Sequence, residues 1–88
     1  MSDTVALMEQ RLATLSPLHL QISDDSALHA GHAGARAGGG HYRLSITCKQ
    51  FGGLSRLARH RLVYQALGDL MQNRIHALAI DALAPDES

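Results

Sequence analysis

The sequence predicts a small α+β domain of order αββαβ, in which helices cover one face of a three-stranded mixed sheet. Its 88 residues suit a single domain spanning residues 1–88. Hydrophobic residues make up 45% and charged residues 18% of the chain, which is a globular composition. Apolar residues recur at helical spacings in two segments and alternate with polar residues in two others, and residues 74–80 (RIHALAI) form a further short apolar segment that reads as a strand. These two periodicities, separated by turn-forming residues, predict the element order.

The first two predicted elements are a helix over residues 3–15 and a strand over residues 18–23. Ser16-Pro17 should end the helix, because proline disfavours the helical conformation of the residue before it. The strand segment alternates leucine or isoleucine with polar residues, which predicts one buried face and one solvated face. Apolar residues at spacings of three and four give the helix one apolar face: Val5, Met8, Leu12 and Leu15.

A long loop and a second strand are predicted next. Residues 24–40 should form a mobile loop, because five of them are glycine and the segment is longer than most connections in compact domains. Residues 41–49 alternate again and should pair antiparallel with the first strand. The side chains expected to face the core are Tyr42, Leu44, Ile46 and Cys48.

The remaining chain predicts a helix, a strand and the start of a further helix. The helix should span residues 55–72, with Ser55 as its N-cap and Asn73 as its C-cap. The third strand should span residues 74–80. Residues 84–88 resemble the truncated start of a last helix.

Topology then places two histidines together. A strand–helix–strand unit within one sheet is almost always a right-handed crossover, so strand 74–80 should run parallel to strand 41–49. His41 and His76 would then lie at the same edge, on strands about 4.8 Å apart. Six histidines occur in the 88 residues, and histidine is the commonest metal ligand. This edge is therefore the leading candidate site, although an exposed strand-end histidine needs no function.

The charges are unevenly distributed although the formal net charge is zero. Residues 36–74 contain seven basic residues and one acidic residue, and the flanking segments carry the compensating acids. A basic centre with acidic ends indicates a charged partner surface. Aromatic residues make up only 3% of the chain, which argues against a platform for stacking nucleic-acid bases.

Cellular location and enzymatic activity are constrained by what the sequence contains. Cys48 is the only cysteine, so an internal disulfide framework is excluded and a reducing, cytoplasmic compartment is expected. The first residues lack a signal-peptide pattern, and no apolar run is long enough to span a membrane. The chain also lacks nucleophile, metalloprotease and phosphate-loop motifs, so we do not expect an enzyme.

Four short motifs resemble those of the BolA-like family, in the family's order and spacing. Residues 59–64 (RHRLVY) resemble the family signature, and residues 41–43 (HYR) its histidine-containing motif at the second strand. Residues 49–53 (KQFGG) and 75–78 (IHAL) resemble the turn into the second helix and the third-strand motif. The resemblance covers roughly residues 5–85. Ser88 stands where the family's last helix usually has an aromatic residue.

This resemblance implies a fold similar to a class II KH domain and a role beside monothiol glutaredoxins. Such proteins share a glutathione-dependent [2Fe–2S] cluster with the glutaredoxin, for iron–sulfur trafficking or iron regulation. His41 makes the chain look like the histidine type, so His41 and His76 are expected as metal ligands on one iron. The glutaredoxin cysteine and glutathione would supply thiolates to the other iron, and the isolated chain would hold no cluster.

Other residues have weaker assignments. A nucleic-acid-binding transcriptional regulator is the alternative function, because bacterial members of the family are described that way; DNA would then be a partner. Against it, Gly52-Gly53 lacks the second spaced glycine of a KH loop. A metal-free adaptor is the third possibility.

The other histidines, His29, His32 and His60, are candidates for secondary ligands or structural residues. His60 is favoured as a structural residue that bonds a carbonyl near Phe51. Candidates for partner or nucleic-acid binding are Lys49, Arg56, Arg59 and Arg61.

Overall fold

The computed structural model describes residues 3–25 and 40–87. The long loop predicted over residues 24–40 lies almost wholly outside these residues, so its mobility stays a prediction. The regular elements are α1 (Asp3–Leu12), β1 (His19–Asp24), β2 (Gly40–Thr47), α2 (Arg56–Leu67), α3 (Leu70–Asn73) and β3 (Ile75–Leu83). Within the described residues, three short 3₁₀ segments accompany them, namely Ala13–Leu15, Lys49–Phe51 and Pro85–Glu87. The predicted αββαβ order is confirmed, with α3 as an additional turn before β3.

The sheet has the order β1-β2-β3, with β2 in the centre. The antiparallel pairing of β1 with β2 runs from His19 opposite Thr47 to Asp24 opposite Tyr42. β3 lies parallel to β2, as the right-handed crossover predicts. Two edges remain in this sheet, one on β1 and one on β3.

The core lies between the helices and one face of the sheet. Alternation along β2 buries Tyr42, Leu44 and Ile46, as predicted, and Cys48 just beyond the strand is also fully buried. The helices contribute the apolar side chains of the opposite layer, and Phe51 fills the space below the turn that leads into α2. The fully buried helix residues are Met8, Leu12, Val63 and Leu67.

Backbone geometry confirms where the first helix stops and how the second begins. Ser16 has φ 51°, in the left-handed region, and its N–H donates to the Ala13 carbonyl at 2.9 Å. The α-helical path therefore ends before Pro17. The Ser55 hydroxyl accepts a hydrogen bond from the Ala58 N–H at 3.1 Å, which is the N-cap interaction predicted for α2.

Several predicted boundaries are wrong. The helix predicted over residues 55–72 breaks at Gly68, whose positive φ of 58° ends α2 and leaves α3 as a separate turn. Arg74, and not Asn73, is the C-cap of α3. The strand predicted to reach residue 49 ends at Thr47, and β3 continues to Leu83, beyond the predicted residue 80.

Candidate metal centre

His41 and His76 lie together at the end of the sheet where β2 and β3 begin, because of a bulge in β3. Gly40 pairs with Ile75, whereas His41 pairs with Ala77, so one step along β2 matches two steps along β3. His76 is the extra residue. In a regular strand it would lie opposite Gly40 and point to the helix-covered face, whereas a bulge re-aims the side chain.

Solvent exposure along β3 agrees with this geometry. Ile75 is buried, His76 and Ala77 are both exposed, and Leu78 is again partly buried. Two successive exposed residues depart from the alternation of a regular strand, as expected at a bulge. The bulge therefore turns His76 towards the helix-free face, the same face on which the half-buried His41 lies.

The two imidazole rings are close enough to bind one metal ion. Their centroids are 5.2 Å apart and the ring planes are tilted by 49°. In a tetrahedral site with metal–nitrogen bonds of about 2.0–2.1 Å, two imidazole centroids lie roughly 5.2 Å apart. The donor set and the ring separation therefore fit two nitrogen ligands of one metal.

Backbone hydrogen bonds hold the strand start that carries His41. The Gly40 N–H donates to the Arg74 carbonyl at 3.0 Å, which joins the start of β2 to the end of α3. On the other side, the Asp25 N–H donates to the His41 carbonyl at 2.8 Å. The Asp25 carboxylate also lies 3.7 Å from the Arg43 guanidinium. The backbone of His41 is thus held from both neighbouring segments.

No further ligand joins the pair within residues 3–25 and 40–87, where no cluster of three or more His, Cys, Asp or Glu side chains has metal-binding geometry. His19 pairs with Thr47 at the opposite end of β2. His29 and His32 lie outside the described residues. A metal at the pair would therefore take its other ligands from a partner, a small molecule or the loop.

His60 lies apart from the pair. It is half-buried on α2 and borders a cleft beside the end of β3, whereas His76 lies at the start of that strand. The hydrogen bond to a backbone carbonyl near Phe51 that was expected of His60 is made by its neighbour Arg59 instead. Arg59 Nε donates to the Leu54 carbonyl at 3.1 Å and thereby ties the turn to α2.

Arg59 differs from the other basic candidates. Its side chain is only 12% exposed and forms an ion pair with Glu87, and one guanidinium nitrogen also donates to the Ala82 carbonyl at 3.0 Å. Hydrogen bonds from Arg59 and from the Ala84 N–H hold the pKa of Glu87 at about 2. Arg59 is thus engaged within the chain. The other three basic candidates, Lys49, Arg56 and Arg61, are exposed.

Cys48 contributes to the core and not to the site. Its side chain is fully buried, and burial raises the pKa of its thiol. A protonated, inaccessible thiol is a poor metal ligand and a poor nucleophile. The prediction that Cys48 is a small core hydrophobe is confirmed.

These features define a small α+β domain of αββαβ topology, which presents two imidazoles at the end of a mixed sheet where its parallel strands begin. Residues 12–87 match the family model described as BolA-like protein, and the chain belongs to that family. The fold is also that of a solved structure, BolA1 from Arabidopsis thaliana. The two superpose with a TM-score of 0.84 at 36% sequence identity, over 100% of this chain and 98% of that one.

Relatives in this family carry different names. The chain is 41% identical over 91 residues to SufE-like protein 1, chloroplastic/mitochondrial, of Arabidopsis thaliana, covering 98% of this chain and 24% of that protein. It is 34% identical over 82 residues to the DNA-binding transcriptional regulator BolA of Vibrio cholerae, covering 92% and 74%. The chain spans 24% and 53% of the lengths of two plant relatives.

The cytoplasmic location expected from the sequence is not confirmed, because two Arabidopsis thaliana relatives, SufE-like protein 1, chloroplastic/mitochondrial, and Protein BOLA1, chloroplastic, are named as organellar proteins. Within the described residues, no helix is long and apolar enough to cross a bilayer.

Proposed function

We propose that this chain is a histidine-type BolA-like partner of a monothiol glutaredoxin, with which it shares a glutathione-dependent [2Fe–2S] cluster. The observation that carries the proposal is the pair of imidazoles whose centroids lie 5.2 Å apart on the helix-free face of the sheet. His41 and His76 would be the two nitrogen ligands of one iron. The role is trafficking of iron–sulfur clusters or regulation by iron.

The ligand chemistry supports a shared cluster and not a resident one. A [2Fe–2S] cluster needs two ligands on each iron, and two histidines can replace two cysteines on one of them, which raises the reduction potential. Cys48, the only cysteine, is buried in the core. By the resemblance to the family, the thiolates for the second iron would come from the glutaredoxin cysteine and glutathione, and the isolated chain should be colourless.

The same proposal includes a non-enzymatic role in a reducing compartment. The relatives' names describe BolA-like proteins and a regulator, which supports a partner or regulatory role. A single buried thiol suits reducing conditions, since the chain has no disulfide to maintain.

A second candidate function is DNA binding. It is favoured by the 34% identity to the Vibrio cholerae relative, which is named as a DNA-binding transcriptional regulator. Lys49, Arg56 and Arg61 are exposed and could contact phosphates. The zero net charge and the occupied guanidinium of Arg59 make this the weaker candidate.

Reconstitution tests the first proposal directly. The chain is mixed with a monothiol glutaredoxin, glutathione, iron and sulfide, and visible absorption and EPR spectra are recorded. We expect a heterodimer whose spectra differ from those of the glutaredoxin homodimer, because nitrogen replaces sulfur on one iron. A mixture that yields only the homodimer spectrum, with the chain eluting separately and colourless, contradicts the proposal.

A further inference from the structure

A cleft of about 500 Å³ lies between the start of α2 and the end of β3, away from the histidine pair. One wall contains Leu54, Arg56, Arg59 and His60, and the other wall is formed by residues 80–83 of β3. Two of the four residues on the first wall, Arg56 and Arg59, are basic, and His60 lies beside them. Asp81 is the acid on the opposite wall.

The β3 wall is the edge of a sheet. Within residues 3–25 and 40–87, β3 pairs only with β2. The Leu83 carbonyl points towards β2, where it accepts from the Cys48 N–H at 3.1 Å, whereas the Ala82 carbonyl points away and accepts from Arg59. Backbone groups of successive strand residues point in opposite directions. Ile80 lies two residues before Ala82, so its backbone groups also point away from β2, towards the cleft. Such an edge can pair with an added strand.

Arg59, which lines the cleft, already binds a carboxylate of the chain itself. Arg59 donates to both oxygens of Glu87, one of them at 2.8 Å, and the Ala84 N–H donates to the same carboxylate at 3.0 Å. Arg59 is oriented independently of Glu87, because the Leu54 and Ala82 carbonyls fix the guanidinium. This arrangement forms a carboxylate seat, consisting of the Arg59 guanidinium and the Ala84 N–H.

The Glu87 side chain that occupies the carboxylate seat is less firmly held than the Arg59 side chain that forms it. The Glu87 side chain is 38% exposed, against 12% for Arg59, and it projects from the short Pro85–Glu87 turn. Arg56 and His60, farther along the same wall, have no ion pair among the described residues. Arg56 therefore offers a positive charge without an ion pair among the described residues, beside a seat that the chain's own Glu87 fills.

We propose that this cleft binds an extended acidic peptide segment of a partner protein, and that Glu87 occupies its carboxylate seat until the partner displaces it. The segment would add to the edge of β3 and place one carboxylate on Arg59, with further acidic side chains near Arg56 and His60. The cleft lies at the end of β3 and His76 at its start, so the proposal stands independently of the metal site.

The test uses the full chain and a defined probe, a fluorescein-labelled peptide of alternating glutamate and valine with an amidated C-terminus. Its binding is followed by fluorescence anisotropy. Glu87→Gln empties the seat of its carboxylate, so the probe should bind more tightly by about 5- to 150-fold, the range typical of coupled sites. The matched control Asp86→Asn removes a neighbouring carboxylate that acts on Arg59 only through its charge, and it should change the affinity far less than Glu87→Gln does.

Two further measurements separate this proposal from a purely structural ion pair. A glutamine–valine probe should bind the Glu87→Gln chain poorly, and Arg56→Gln should weaken binding of the acidic probe. In the unaltered chain, saturating probe should shift the amide NMR signals of Ile80 and Ala84. Equal affinities of the unaltered and Glu87→Gln chains, equal binding of both probes, or binding without these shifts would each overturn the proposal.

Discussion

Replacing His76 with alanine is the most informative perturbation of the candidate metal centre. His76 is exposed at a bulge and supports no core packing, so His76→Ala should change the free energy of unfolding by no more than about 0.5 kcal/mol. Its imidazole is nevertheless one of two that fit a single metal ion. If the proposed function is correct, His76→Ala should therefore fold normally but bind the proposed cluster differently.

The size of the effect follows from the ligand count. Loss of a residue that merely supports a metal ligand typically costs 10- to 100-fold in affinity, so roughly 10-fold is a lower bound for a ligand itself. In His76→Ala the iron is left with one imidazole, and a second glutaredoxin thiol can take the free position. We expect visible and EPR spectra that move towards those of the glutaredoxin homodimer. His41→Ala should behave in the same way.

His19→Ala is the matched control, since it removes an exposed strand histidine from the same sheet. His19 lies opposite Thr47, six residues along β2 from His41, which corresponds to roughly 20 Å. No metal ion can bridge that distance, so His19→Ala should leave the spectra unchanged. If His19→Ala altered them as much as His76→Ala, or if His76→Ala left them unaltered, the ligand assignment would be refuted.

Three other outcomes are expected. Phe51→Ala should lower the free energy of unfolding by about 3–5 kcal/mol in urea denaturation, because the ring is fully buried; a loss below about 1 kcal/mol would contradict its central position in the core. The pKa of Glu87 is about 2 in the folded chain against 4.5 ordinarily, so its stabilising contribution is complete above about pH 4.5 and is lost as the pH falls through about 2. Glu87→Gln should therefore reduce the acid sensitivity of stability in that range, whereas an unchanged profile would show that the ion pair with Arg59 does not form in solution. Cys48 should react with a thiol reagent such as dithionitrobenzoate only as fast as the chain opens, and rapid reaction of the native chain would contradict its burial.

The placement of His41 and His76 at the same end of the sheet was predictable, because it depends only on the handedness of the crossover. Their sharing of one face of the sheet depends on the bulge. A right-handed crossover makes strands 41–49 and 74–80 parallel whatever side chains they carry. Both strands therefore begin at the same end of the sheet. Alternation along β2 likewise predicted which of its side chains are buried. General chain geometry determines both features.

The bulge at His76 was not predicted, although the sequence carries a signal for it. Ile75 and Leu78 both turn towards the core although they are three residues apart, an odd spacing that a regular strand cannot bury on one face. The role of Arg59 was missed for a different reason. Its acceptors, which include Ala82 and Glu87, are distant in sequence, and only the tertiary fold brings them within reach. Local periodicity contains no information about such contacts.

The parallel pairing of β2 with β3 also determines when the imidazole pair can exist during folding. His41 and His76 are 35 residues apart along the chain and meet only after the intervening helix has crossed over and β3 has added to the sheet. Non-local pairing of this kind forms slowly, because loop-closure entropy is lost before the contacts are made. The hairpin of β1 and β2 can form earlier, but it carries only one of the two imidazoles. A nascent or half-folded chain therefore cannot capture iron with both histidines, and metal binding at the pair would report that folding is complete.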